Sequence, residues 1–104
     1  MDEFENVTVT CKANIYFDGG VTSRTLKFSN GNIKTLGIMQ PGEYQFDTEK
    51  KEIMEIQSGE VEVLLPDESD WQTFSAGSSF EVKENSKFQI RVHSLADYCC
   101  SFVD

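Results

Sequence analysis

Histidine is nearly absent: His93 is the one imidazole in 104 residues. A zinc site would need further Cys or His at ligand spacing. Cys11, Cys99 and Cys100 do not provide it, being an odd number with two of them adjacent. A disulfide between neighbours is strained, so the thiols are expected to be reduced, as in a cytosolic protein. The opening Met1-Asp2-Glu3-Phe4-Glu5 is acidic and no apolar run follows it, which is not the make-up of a signal peptide. A cytoplasmic location is the expectation. Basic residues are also scarce, with 9 Lys and Arg against 18 Asp and Glu and a net charge of −9. Nucleic-acid polymers and anionic membrane surfaces would be repelled at long range. A small anionic substrate is not excluded, because a local pocket can oppose the global sign. No window approaches the ~20 apolar residues that a membrane-spanning helix needs.

What is present is a succession of short alternating runs separated by turn chemistry. The length suits one domain with one core, spanning residues 1–104, with 1–6 expected to fray. Ile15-Tyr16-Phe17 leads to Asp18-Gly19-Gly20, a hairpin signal because glycine reaches positive φ without penalty. Val21 to Phe28 reads as a strand ending at Ser29-Asn30-Gly31, where Asn-Gly favours a type I′ turn. Further runs end at Pro41-Gly42, Ser58-Gly59, Ala76-Gly77-Ser78, Glu84-Asn85-Ser86 and His93-Ser94. About ten strands, with a turn signal every several residues, predict an all-β sandwich or barrel. Trp71 and Asp70 read as structural, the ring closing the barrel base and the carboxylate capping a turn.

Residues 48–57 admit two readings. Thr48 could cap a short helix with Ile53 and Ile56 on one face and Gly59 beyond its end, and Glu and Lys favour helix locally. Such a helix would be barely two turns long and alone among strands. Periodicity does not decide between helix and strand here.

The stretch Pro41–Gly59, PGEYQFDTEKKEIMEIQSG, resembles the first signature motif of the cupins, small jelly-roll β-barrels. Glu52 and Gly59 keep the motif's spacing. The two histidine positions hold Gln45 and Asp47, or Phe46 and Thr48, depending on how the gap is counted. In the second motif, which spans Gly77–Phe88, the histidine position holds Phe88 and the turn is Lys83-Glu84-Asn85. The likeness implies an all-β, cupin-type single-domain barrel, and it favours strand for 48–57. Cupin metals sit on imidazole nitrogens with a carboxylate, and Glu52 facing Phe46 and Phe88 offers too few ligands. A metal-free barrel with no cofactor is therefore expected.

A closer likeness is carried by GEYQF (Gly42–Phe46), SGEVEVLLPDESDW (Ser58–Trp71), AGSSF (Ala76–Phe80) and KFQI (Lys87–Ile90). With the Leu36-Gly37-Ile38-Met39 approach, these are similar to the pyrimidine/purine nucleoside phosphorylase family of small bacterial cupins over roughly residues 12–104. The turn at Lys83-Glu84-Asn85 and the hairpin at Ser29–Asn32 depart from that family's pattern. The resemblance implies phosphorolysis: inorganic phosphate attacks C1′ of a purine or pyrimidine nucleoside and releases free base and pentose 1-phosphate. It also implies a homodimer, with nucleosides and phosphate as partners.

Period two carries the inward set. If Glu52 points inward, so do Met54 and Ile56; if Phe88 does, so do Ile90 and Val92; if Phe46 does, so does Tyr44. The expected pocket holds Glu52 as the catalytic residue, a carboxylate that could bind ribose hydroxyls. Tyr44, Phe46, Met54, Phe88 and Tyr98 would contact the substrate, their aromatic faces stacking on any base. Phe46, Met54 and Phe88 are more often plain core, since a small barrel fills its interior with such side chains. Glu52 is the sharper clue, since an unpaired buried carboxylate is costly. Arg24 and Arg91 are the phosphate candidates, although each also suits an ordinary surface charge, and His93 is expected to be exposed. Two rival readings remain: a non-catalytic metal-free cupin binding a small sugar or nucleoside, and a metal-dependent cupin isomerase or oxygenase.

Overall fold

The computed structural model describes residues 3–104. Part of the segment expected to fray lies outside these residues. Within them, Phe4 already packs edge-on against Phe28, with ring centroids 5.2 Å apart. Nine antiparallel strands follow in chain order: β1 (Val7–Val9), β2 (Asn14–Tyr16), β3 (Val21–Phe28), β4 (Ile33–Met39), β5 (Gly42–Asp47), β6 (Lys51–Leu64), β7 (Gln72–Ser75), β8 (Ser79–Val82) and β9 (Lys87–Val103).

Two long strands organise the rest. β9 pairs along its length with β6 on one side, and on the other with β5 through Lys87–Val92 and then β4 through Ala96–Phe102. β6 in turn pairs with β8 through Glu52–Glu55 and β7 through Glu60–Val63. Both long strands bend together, and the β6–β9 register shifts at Ile56/Ser58, Ser58/Glu60 and Glu60/Val61. Each therefore serves two layers. One layer is built on β3, β4 and the Glu52 half of β6, the other on β5, β7 and the Val61 half. Val61, Val63, Phe88, Ile90 and Val92 of the second layer join Met39, Met54, Ile56, Ala96 and Tyr98 of the first in one core cluster. The sheet bends on itself without closing, in the cupin manner.

Several local expectations are corrected here. Ser58-Gly59 and His93-Ser94 are not strand breaks but bulges inside β6 and β9, so each of these strands is one long element. Gly59 has φ +89°, and a Cβ there would sit 2.3 Å from the Leu95 carbonyl oxygen. Only glycine lets the two strands approach so closely at the crease. The Asn30-Gly31 hairpin is not type I′, which needs positive φ at both central residues. Only Gly31 of that pair is left-handed (φ +92°), and its N–H donates to the Phe28 carbonyl. That is the form of a three-residue loop closed by a left-handed glycine. Residues 51–57 are strand, as the cupin likeness favours: two-sided pairing to β8 and β9 overrides the local helix preference of Glu and Lys. Thr48 caps no helix. Its hydroxyl donates to the Lys83 carbonyl (2.7 Å) and accepts from the Ser86 N–H (3.0 Å), tying the β5–β6 connection to the loop before β9. Trp71 does not close a barrel base; its ring lies 3.8 Å beneath the Arg91 guanidinium on the outer side of the second layer.

Candidate active site

Where the inner face of the first layer meets the end of β5, the interior opens into a cavity of about 540 Å³. That is the range of small-molecule sites. Its floor follows from strand register. One row across the sheet is Ser23 on β3, Gly37 on β4 and Tyr98 on β9. The next carries Thr35, Cys100 and Met54, and the third carries Ile33, Phe102 and Glu52. Because side chains alternate, all three rows send their groups to the same face.

Polar and apolar groups divide this floor. Tyr98 is 5 % exposed, and its ring lies over Gly37, where a Cβ would come within 2.7 Å of the Tyr98 oxygen. Its hydroxyl hydrogen-bonds with Ser23, and burial pushes the phenol well above its ordinary pKa. Glu52, two rows away, is partly buried, and the intervening Cys100 thiol donates to Glu52 Oε1 across 3.5 Å. Burial raises the Glu52 pKa, and the thiol's hydrogen bond opposes that rise. Cys100 is pushed well above the usual thiol range, first by burial and then by the charge of Glu52. A thiol so placed is a poor nucleophile. The opposing wall is aromatic: Phe46 stacks on Phe88 with centroids 5.6 Å apart and an interplanar angle of 26°. Phe88 is 2 % exposed, so its ring belongs largely to the core, while the half-buried Phe46 presents the accessible face.

The structure thus brings Phe46, Glu52, Met54, Phe88 and Tyr98 around one cavity. Tyr44 is not at its wall: the hydroxyl donates to the Gln40 carbonyl (2.7 Å), and the ring is tucked against Gly20 and Gly42 under Phe17. Neither arginine reaches the cavity. Arg24 projects from the outer face of β3 and donates to the Cys11 carbonyl. Arg91 donates to Glu43 at 2.8 Å while covering Trp71. His93 is exposed beside Glu62 on the same outer side.

Among the cavity residues that escaped the sequence reading are Tyr16, Ser23, Thr35, Lys50 and Cys100. Thr35 was legible in principle as a polar residue on the otherwise apolar face of β4 shared by Ile33, Gly37 and Met39; Ser23 was not, because Thr25 and Lys27 share its face of β3. Lys50 sits in the β5–β6 connection at the cavity, and its ammonium is 2.8 Å from the Asp104 carboxylate. The donor set does not suit a divalent ion. Glu52 faces a thiol and aromatic rings, and among the described residues no group of three or more His, Cys, Asp or Glu side chains is placed to hold one.

A family model described as pyrimidine/purine nucleoside phosphorylase matches residues 11–102. The chain belongs to the pyrimidine/purine nucleoside phosphorylase family. A relative of that name from Hydrogenovibrio crunogenus is 59 % identical over 104 residues, covering 100 % of both chains. Among solved structures, a protein of unknown function from Acinetobacter is 41 % identical with a TM-score of 0.94, covering 97 % of this chain and 98 % of that one. An RmlC-like cupin from Shewanella frigidimarina superposes at TM-score 0.72 and 17 % identity, covering 98 % and 93 %, and supports the cupin fold alone. The cavity of this phosphorylase-family chain is lined by the rings of Phe46 and Phe88 and by the carboxylate of Glu52. Among the described residues no helix is long and apolar enough to cross a membrane.

Proposed function

We propose that this protein is a nucleoside phosphorylase of broad base range, a pentosyltransferase that converts a purine or pyrimidine nucleoside and inorganic phosphate into free base and pentose 1-phosphate. The observation that carries the reading is the juxtaposition of Glu52 with the open face of Phe46 across one nucleoside-sized cavity. A flat ring stacks on any base, while an ionised carboxylate accepts hydrogen bonds from ribose hydroxyls. The same carboxylate lies where the sugar gains positive charge in the transition state, and a fixed negative charge in a partly dry site stabilises it. Tyr98, held neutral by burial, supplies a second polar contact to the sugar.

Phosphate must approach C1′ from a cationic side of the cavity. Lys50 is the cation at its wall, paired with the highly exposed Asp104. Exposed pairs are weak, so a dianionic phosphate can displace that carboxylate. We therefore place phosphate at Lys50 rather than at Arg24 or Arg91. The protein is further proposed to act in the cytoplasm as a homodimer, using the sheet edge formed by β1 and β2, where Ile15 is 66 % exposed.

The test is incubation with adenosine, inosine, uridine and cytidine, with and without phosphate, followed by separation of free base. Phosphate-dependent release from at least one purine and one pyrimidine nucleoside is expected. Saturable nucleoside binding without any release would instead make the protein a non-catalytic binder.

A further inference from the structure

Glu52 stands in β6 between two apolar register partners, Val82 on β8 and Phe102 on β9. Strand pairing fixes its backbone but leaves the carboxylate free to turn about its side-chain bonds. Among the described residues, the group that donates a hydrogen bond to that carboxylate is the Cys100 thiol. Cys100 cannot itself wander: it is 4 % exposed and locked in register between Thr35 and Met54. We propose that Cys100 is a positioning residue whose thiol aims the carboxylate of Glu52 into the cavity.

The choice of sulfur has a physical reason. A thiol packs as a small apolar group and is only a weak donor. It can set the direction of the acid while leaving its stronger acceptor capacity for a hydroxyl of the ligand. A serine in its place would donate more strongly and compete better with that ligand. The charged and titratable groups that share the cavity with Glu52 and Cys100 are Tyr16 on β2, Tyr98 on β9, Asp47 at the end of β5, and Glu49 and Lys50 in the β5–β6 connection. β4 and β8 face it with Ile33, Thr35 and Val82, which carry no charge. Replacing Cys100 leaves all of these in place.

The consequence for turnover rests on the phosphorylase reading, but the orientation of Glu52 is a property of the ligand-free protein and is tested there. The titration of the Glu52 carboxyl is followed by carbon-13 NMR in the wild type, Cys100→Ala and Cys100→Ser, with Glu52→Gln assigning the resonance. Donation by the thiol favours the ionised acid. The Glu52 midpoint is therefore expected to rise in the alanine variant and fall in the serine variant. The acid limb of the kcat/KM profile should move in the same order. At neutral pH the alanine variant should lose about tenfold in kcat/KM, the size of one modest hydrogen bond, and serine should restore most of it. Coincident midpoints in all three proteins would overturn the proposal. Should the alanine variant fail to fold, a serine variant whose midpoint is unchanged or raised would overturn it equally. Ordered midpoints without phosphate-dependent base release would sink the phosphorylase reading and leave the positioning role standing.

Discussion

Tyr98 lies across Gly37, its register partner on β4, and the pair sets the depth of the cavity floor. A Cβ at Gly37 would sit 2.3 Å from the Thr22 carbonyl oxygen and 2.7 Å from the Tyr98 hydroxyl. Gly37→Ala must therefore displace the tyrosine, the strand or both. Overpacking of this kind costs about 1–3 kcal/mol. A lower midpoint in urea is expected, together with weaker nucleoside binding because Tyr98 loses its contact with Ser23. Equilibrium denaturation and nucleoside titration on the same variant check both.

Glu52 should oppose the stability of the fold it serves. Burial raises its pKa in the folded protein above the unfolded value. Well below the unfolded pKa the acid is protonated in both states and costs nothing. As pH rises through the interval between the two values, the unfolded chain releases the proton first, and stability falls. Glu52→Gln is therefore expected to be more stable than the wild type at neutral pH, with the difference vanishing in acid. Activity should fall about 10- to 100-fold, the value of hydrogen bonds to a charged acceptor. Denaturation curves across pH, paired with rate measurements, separate the two effects.

Phe46 and Phe88 stack on each other but should respond differently to truncation. Phe46→Ala removes the accessible ring and should raise the nucleoside KM by about 5- to 100-fold, the range of one base-stacking contact, with little loss of stability. Phe88→Ala opens a void in the core and should cost about 3–5 kcal/mol. Thermal melts and initial rates on the two variants make the comparison.

Lys50→Ala should weaken the dependence on phosphate while leaving that on nucleoside nearly intact. A rise of about fivefold or more in the phosphate KM is expected, given a partly exposed charge. Arg24→Ala and Arg91→Ala should leave the phosphate KM alone. Saturation kinetics in each substrate at fixed ionic strength decide this.

Much of the site was readable because a strand repeats every two residues. Once Glu52 and Phe88 are set inward, Met54, Ile56 and Ile90 follow; the same rule turns Arg91 outward, against its choice as a phosphate candidate. The same rule misled at Tyr44: it lies on the inward face of β5 yet beside the Pro41-Gly42 turn, where its hydroxyl finds a backbone carbonyl instead of the cavity. Gly59 and His93-Ser94 imitated turns because a bulge and a turn draw on the same residues, and only pairing across β6 and β9 tells them apart. Lys50 was hidden because a loop has no period. Cys100 was hidden because a buried thiol matters here through its neighbour on β6, 48 positions earlier in the chain.

The most direct test of the central claim uses the two methionines that line the cavity, Met39 and Met54. With their methyl groups labelled with carbon-13, inosine or uridine is titrated in while phosphate-dependent base release is measured on the same sample. Saturable shifts of both methyl resonances, with a midpoint matching the nucleoside concentration dependence of turnover, are expected. Base release with neither methyl disturbed would place the chemistry elsewhere on the protein and contradict the assignment of the Glu52 cavity.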